Sequence, residues 1–312
     1  MSLSARVRPA RDPGAVHQDA AANRVRVGVV VLTMGDRPAD LAALLDSVLA
    51  QDGPPMHIVV VGNGCVLPSL PPGVQGVGLA ENLGVPGGRN AALAALREHR
   101  DVDVVMYLDD DGLLPDQRTA ERVREAFAGN PQLGIVSFRV ADETGYTQGR
   151  HVPRLGARDP LKGGPVTTFL GGGNAIRMAV VEQTGQWPDF FFFSHEETDV
   201  AWRALDAGWR IDYRPDLVLQ HPSTSPERHA VYFRTTARNR VWLARRHLPA
   251  PLIPVYLGAW IVITVTRRPP LAGLREWAAG FLEGCRTSCG RRQPMSWRTV
   301  WRMTRLGRPP II

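Results

Sequence analysis

The chain has 312 residues, a formal net charge of +7, and is 44% hydrophobic and 21% charged. That length suits one large α/β domain, alone or with a helical appendage, and the balance excludes a disordered or fibrous chain. Three cysteines exclude a disulfide framework, so a reducing compartment fits. The charge is uneven: residues 228–312 carry 16 arginines against Glu276 and Glu283, a net +14, which leaves −7 for residues 1–227. The basic character thus belongs to the C-terminal region.

Residues 1–24 lack an apolar core and read as a disordered leader rather than a signal peptide. Val25–Leu32 is continuously apolar after Arg26, as a strand buried on both faces should be. Thr33–Arg37 breaks it, Pro38 suits a first helical turn, and Leu41, Leu44, Leu45 and Val48 follow at helical spacing. His57–Val61 and Gly76–Leu79 are predicted strands, and Gly87–Glu98 a helix. Asp103–Leu108 is the next buried strand and runs into Asp109-Asp110-Asp111-Gly112. A helix is predicted over Pro115–Ala128 and a strand over Leu133–Val140. Residues 141–170 are less regular. A helix over His195–Ala207 precedes short strands at Trp209–Arg214 and Asp216–Leu219. This alternation predicts an α/β fold with a mainly parallel sheet. Beyond a boundary near Pro226, helices are predicted at roughly 230–247, 271–290 and 296–306. Pro251–Val265 is too short for a membrane span and suits a buried helix or a membrane-surface segment.

Three carboxylates at the end of a buried strand lie where open α/β sheets bind ligands. They repel one another unless a cation neutralises them, which points to Mg²⁺ or Mn²⁺. Ser194 and Glu197 have the spacing of a capping box, while the acids of Ser194–Asp199 also suit a general base at a helix start. His221, at a strand end, has the chemistry to complete a metal site. Cys285 and Cys289, four apart, read as packing residues on one helix face. Gly171-Gly172-Gly173-Asn174 either approaches a ligand or turns the chain. No P-loop, dinucleotide fingerprint or nucleophile elbow is present.

The order of motifs VGVVVLT, IVVVGNG, ENLGVPGGRNAAL, LDDDG, FLGGGNAIR and HEETDVAWRALDAGWRIDYRPDLVLQHP resembles an inverting glycosyltransferase of family 2 with the GT-A fold. The resemblance covers about residues 25–248 and, with the charge shift near Pro226, gives a catalytic domain over 25–227, while the Arg-rich helical region over 228–312 rests on composition and its last sixty residues lie outside the resemblance. It implies a nucleotide-sugar donor, UDP- or dTDP-linked, held by Thr33, Asn63, Asn82, Arg89, Asn90, Asp109 and Asp110. It places the Mn²⁺ or Mg²⁺ ion on Asp109, Asp111 and His221. Glu196 and Glu197 match the catalytic acidic pair, with Glu197 as the base, and Gly172 and Gly173 fall near the acceptor. The acceptor classes implied are a glycan, a lipid-linked glycan or a small molecule. Two positions depart from the family pattern: Gly62 stands where Asp is frequent, and Glu197 where Asp is commoner.

Two rivals to this reading are a sugar nucleotidyltransferase and a basic membrane- or nucleic-acid-binding protein without catalysis. The first needs a Gly-rich, basic loop after the first strand, and Thr33–Arg37 is too short for it. The second leaves the buried strand feeding three aspartates unexplained. Interleaved Arg and Trp in the C-terminal region, including Trp260, Trp277, Trp297 and Trp301, predict peripheral contact with an anionic membrane from the cytoplasmic side. No nucleic-acid partner is expected.

Overall fold

A computed structural model describes residues 22, 24–157, 159–222 and 231–312. The expected leader lies outside these residues apart from Ala22 and Arg24, as does the expected boundary near Pro226. Among the described residues, β1 (Val27–Thr33), β2 (His57–Asn63), β3 (Val74–Leu79), β4 (Val104–Asp109), β5 (Leu133–Ala141), β6 (Gly164–Pro165), β7 (Gly173–Arg177) and β8 (Arg210–Gln220) form one sheet in the order β3-β2-β1-β4-β7-β5-β8-β6. β1 pairs in parallel with β2 and β4, β2 with β3, and β5 with β8. β7 runs antiparallel between β4 and β5, and β6 antiparallel along β8.

The continuous apolar runs are explained by burial on both faces. Val29, Val31, Val60, Met106 and Leu108 meet Leu41, Leu44, Leu45 and Val48 of α1 (Pro38–Leu49) on one face. Val30, Val59, Val61, Val105 and Tyr107 meet Leu93 and Leu96 of α2 (Gly84–Arg97) on the other. The period of two along each strand sends neighbouring residues to opposite faces.

The next helix, α3, spans Thr119–Gly129, starting later than predicted. Residues 116 and 117 are instead tied to the end of α1: Asp52 N donates to Gln117 O at 2.8 Å and Gln51 Nε2 to Asp116 O at 3.0 Å. The two short strands expected around 209–219 are one strand, β8. Its register against β5 slips between Phe138 and Arg139, opposite Pro215, which has no N–H to give the ladder.

The chain continues through α4 (Met178–Thr184), α5 (Glu196–Asp206), α6 (Tyr232–His247), α7 (Leu252–Thr266), α8 (Leu271–Arg286) and α9 (Trp297–Arg305). Trp242, Leu243 and Ala244 of α6 and Val300 and Met303 of α9 share the buried cluster that holds Tyr107 and Ile135 of the sheet. α8 crosses α6 closely, because Gly280 and Gly284 sit against the backbone of Arg234 and Arg238. Glu283 ties the crossing by pairing with both arginines.

α7 is the Pro251–Val265 segment. It buries only Tyr256 and exposes Val255, Ile261, Val262 and Val265, so the buried-helix reading is overturned and it is a surface helix. Among the described residues no helix is long and apolar enough to cross a membrane. Cys285 is exposed on α8 and Cys289 is buried beyond its end, so they share no helix face.

Candidate active site

Parallel strands deliver their carboxyl ends to one edge of the sheet. There Thr33 ends β1, Asn63 ends β2, Asp109 ends β4 and His221 follows β8. Because β7 is antiparallel, its amino end reaches the same edge, which brings Gly172 beside Asp109 and Gly171 beside Glu197. A two-way bridge between Leu113 and Gln220, at 2.8 and 2.9 Å, fixes the aspartate turn to the strand that carries His221.

Ligand atoms of Asp109, Asp111 and His221 all lie within 4.8 Å of one another. His221 Nε2 is 2.9 Å from Asp111 Oδ1 and 3.7 Å from Asp109 Oδ2. Its Nδ1 lies 2.7 Å from Pro222 O, so the Nδ1–H donates there and Nε2 faces the carboxylates. Gly172 is required at its place, since a Cβ there would collide with the Asp109 carboxylate. Two carboxylates and an imidazole converging on one point fit a divalent cation such as Mn²⁺ or Mg²⁺.

Arg37 balances the rest of the acidic turn. Its Nη2 lies 2.9 Å from Asp110 Oδ1, and its Nη1 donates to Asp111 Oδ2. Asp110 is nevertheless pushed up to about 6, because burial and the two neighbouring aspartates outweigh Thr33 and Arg37. Asp111 goes the other way: burial raises it, but the bond and charge of His221, with Arg37, hold it below the usual carboxylate range.

Glu196 and Glu197 open α5, and the predicted capping box does not form. The N-cap is His195, without a side-chain cap bond, and Ser194 Oγ pairs with Thr236 Oγ1 at 3.3 Å. The cause is the backbone: Phe192, Ser194 and His195 hold φ values of 64°, 75° and 70°, a left-handed run that takes Ser194 out of capping position. Asn239 of α6 holds this run, its Nδ2 donating to the carbonyls of Phe191, Phe193 and Ser194 at 3.0, 2.9 and 2.7 Å.

Glu197 faces the site. A Cβ at Gly171 would collide with its Oε1, and Arg89 Nη1 lies 3.9 Å from the same atom. Burial raises Glu197 above the usual range, opposed by Arg89. Glu196 is more deeply buried and is pushed up to about 8, by burial first and the Glu197 charge second. Burial raises both acids, and their mutual interaction raises Glu196 further while lowering Glu197, so the proton is favoured on Glu196.

The remaining expected residues divide. Thr33 is buried and bonds Asp110. Asn63 spends its amide on Gly84 O and Leu83 N at 3.0 and 2.9 Å, and Asn90 spends its own on both backbone groups of Trp187. Asn82 accepts from Gly84 N at 2.8 Å. These asparagines shape the loops around the site. Arg89 stacks 4.4 Å from the Trp187 ring and donates to Gly171 O at 2.8 Å, which places it beside Glu197 rather than in open solvent. Gly173 is turned into the core, where a Cβ would meet Leu219 and Phe138, so it does not face an acceptor. At Gly62 a side chain would meet Cys65 O and the Leu67 side chain, each at 2.9 Å. The 65–67 segment thus occupies the space of the more frequent aspartate. Sequence reasoning missed Arg37 and Asn239, whose contacts span 74 and at least 45 residues and leave no local pattern.

The family described as Glycosyl transferase family 2 matches residues 29–185, half of the chain, from β1 to the end of α4. This chain belongs to glycosyltransferase family 2. Among solved structures, the family 2 fold aligns with GalNAc-T7 in complex with UDP, GalNAc and Mn²⁺ at TM-score 0.57 and 12% identity, covering 75% of this chain and 49% of that one. S. aureus TarS aligns at TM-score 0.56 and 16% identity, covering 83% of this chain and 49% of that one. The chain thus spans about half the length of these two structures. The mannosyltransferase PcManGT from Pyrobaculum calidifontis, with GDP-Man and Mn²⁺, aligns at TM-score 0.52 and 19% identity, covering 94% of this chain and 91% of that one. No curated protein sequence matches the chain. The GT-A fold is common to this family 2 chain and these structures.

Proposed function

We propose that this glycosyltransferase inverts the anomeric centre of a nucleotide-diphosphate sugar, with Glu197 as the base. The observation that carries the reading is the adjacency of two glycines: Gly171 abuts Glu197 Oε1 and the next residue, Gly172, abuts Asp109. One backbone step therefore separates the proton acceptor from the group that would hold the donor diphosphate.

Asp109, Asp111 and His221 would hold the Mn²⁺ or Mg²⁺ ion, which when bound neutralises charge on the diphosphate leaving group. Arg37 supplies permanent positive charge beside the same turn. Thr33 and Asp110 line the exit of β1, where the nucleoside would lie. Ionised Glu197 removes the proton of an acceptor hydroxyl, and that oxygen attacks the anomeric carbon from the face opposite the leaving diphosphate. The glycosidic bond forms as the bond to phosphate oxygen breaks, so configuration inverts in one displacement. Arg89 and the Glu196 proton keep Glu197 ionised and oriented.

The donor class is a UDP- or dTDP-sugar, and the acceptor a glycan, a lipid-linked glycan or a small molecule. Peripheral membrane contact is supported by the exposed Trp297 and Trp301 of α9 and the apolar surface of α7. The test is the anomeric configuration of the product, read by NMR, from a panel of UDP- and dTDP-sugars supplied with Mn²⁺ or Mg²⁺. Inversion supports the single displacement, and retention overturns it.

A further inference from the structure

Arg240 lies on α6, one residue beyond the asparagine that clamps the catalytic loop, and its guanidinium stacks 3.2 Å from the Trp260 ring centroid. Two cavities meet at these residues. One, of about 250 Å³, opens between α6, α7 and α8, with Arg267 and Arg268 on its wall. The other is smaller and reaches His195, Tyr256 and Arg308.

Several other buried or half-buried arginines of the fold are met by acceptors. Arg203 and Arg246 pair with Asp199, and Arg124 and Arg177 spend their donors on backbone carbonyls. Among the described residues, no ion pair joins Arg240, Arg267, Arg268 or Arg308 to a carboxylate, and Arg240 meets the Tyr256 hydroxyl and the Trp260 ring. The buried Nε1 of Trp260 and Nε2 of His195 also lack hydrogen-bond partners. Burial, followed by the charges of Arg240 and Arg308, drives His195 well below its ordinary range, so it is neutral. Buried cations and an unpaired indole N–H cost free energy unless an acceptor meets them. Guanidinium groups also match the oxygens of phosphate in geometry.

We propose that Arg240, with Arg267 and Arg268 at the mouth and Arg308 behind, forms a binding site for a phosphate or diphosphate group, separate from the Asp109–Asp111–His221 centre. Arg240 directly follows Asn239, so an anion held there bears on the segment that presents Glu196 and Glu197. The ligand is either a soluble phosphate compound or the headgroup of an anionic lipid, and this assignment does not depend on the proposed transfer reaction.

The test uses the full chain in EDTA at fixed ionic strength, so that metal-bridged binding at the aspartate centre is removed. Pyrophosphate and inorganic phosphate are titrated by calorimetry. Arg267→Gln with Arg268→Gln, both exposed, should weaken pyrophosphate binding about tenfold or more, and Arg240→Gln should weaken it further. Glu197→Gln, and a control pair Arg286→Gln with Arg291→Gln, should leave it unchanged. If Arg240→Gln does not fold, by circular dichroism, the exposed pair carries the test. Flotation with phosphatidylglycerol or phosphatidylcholine vesicles separates the sources. Retention on phosphatidylglycerol alone, lost in the Arg267/Arg268 variant, identifies a lipid headgroup. Pyrophosphate binding without retention identifies a soluble ligand. Wild-type protein that binds neither probe, or an equal loss in the control pair, overturns the site.

Discussion

Asn239 offers a direct way to perturb the geometry of the base without touching it. Its side chain is fully buried and gives one NH₂ group to three carbonyls, those of Phe191, Phe193 and Ser194. Asn239→Ala removes these bonds from a segment with three non-glycine residues at positive φ. Each lost bond contributes about 0.5–1.5 kcal/mol, and three acceptors sharing two hydrogens make about 2–3 kcal/mol a reasonable total. That lowers Tm by about 3–5 °C in a chain of this size. The loop then relaxes towards ordinary φ values and moves Glu197, and a shift of about 1 Å in a reacting group costs roughly 10²-fold in kcat. Asn239→Asp is the sharper version. A carboxylate has no proton to give the three carbonyls and repels them, so this near-isosteric change should destabilise more than alanine does. Urea unfolding and the rate of nucleoside diphosphate release at saturating donor measure both effects. An Asn239→Asp protein as stable and active as the wild type would refute the clamp.

Gly171→Ala puts a methyl group where Glu197 Oε1 lies, so kcat should fall by roughly 10²-fold with donor affinity retained; steady-state kinetics and donor titration separate the two. Glu196 donates to Glu197, so Glu196→Ala should move the acid limb of the pH–rate profile to higher pH, while Glu196→Gln should leave it in place. A limb that moves down in the alanine variant would mean that Glu196 carries charge. Asp199 accepts from Arg203 at 2.7 Å, Arg246 at 3.0 Å and His247 at 2.5 Å, and although burial alone would raise it, these cations hold it far below the usual carboxylate range. Its contribution is present above the unfolded Asp pKa of about 3.9 and is lost as pH falls towards the folded value. Asp199→Asn should therefore cost about 3–5 kcal/mol at neutral pH and flatten the acid limb of stability, as followed by urea melts across pH.

The parts of the site legible in the sequence were those written into local pattern. The buried strand feeding three aspartates needed only periodicity and charge, whereas the roles expected of His221 and of Glu196 and Glu197 came from the family resemblance, because a histidine at a strand end and acids at a helix start read by themselves as structural. The mainly parallel sheet followed from the alternation of strands and helices. The capping box failed because its spacing assumes ordinary backbone entering the helix, and Asn239, 45 residues later, imposes a left-handed one. Asn63 and Asn90 were expected at the nucleotide from the family resemblance alone, and their side-chain amides bond backbone groups of Leu83, Gly84 and Trp187, partners that no local pattern shows. Arg37 stood in a short loop without periodicity, and its partners lie across the sheet edge. α7 was ambiguous because an evenly apolar helix carries no stripe to show which side is buried.

The central claim is that Glu197 is the base, and Glu197→Gln tests it most directly. The amide keeps the shape of the side chain and its place beside Arg89 and Gly171 but cannot take a proton. With donor binding and Tm followed in parallel, kcat should fall by ~10²–10⁴ while donor affinity and stability stay at the wild-type level. A variant that transfers sugar at close to the wild-type rate would contradict the account.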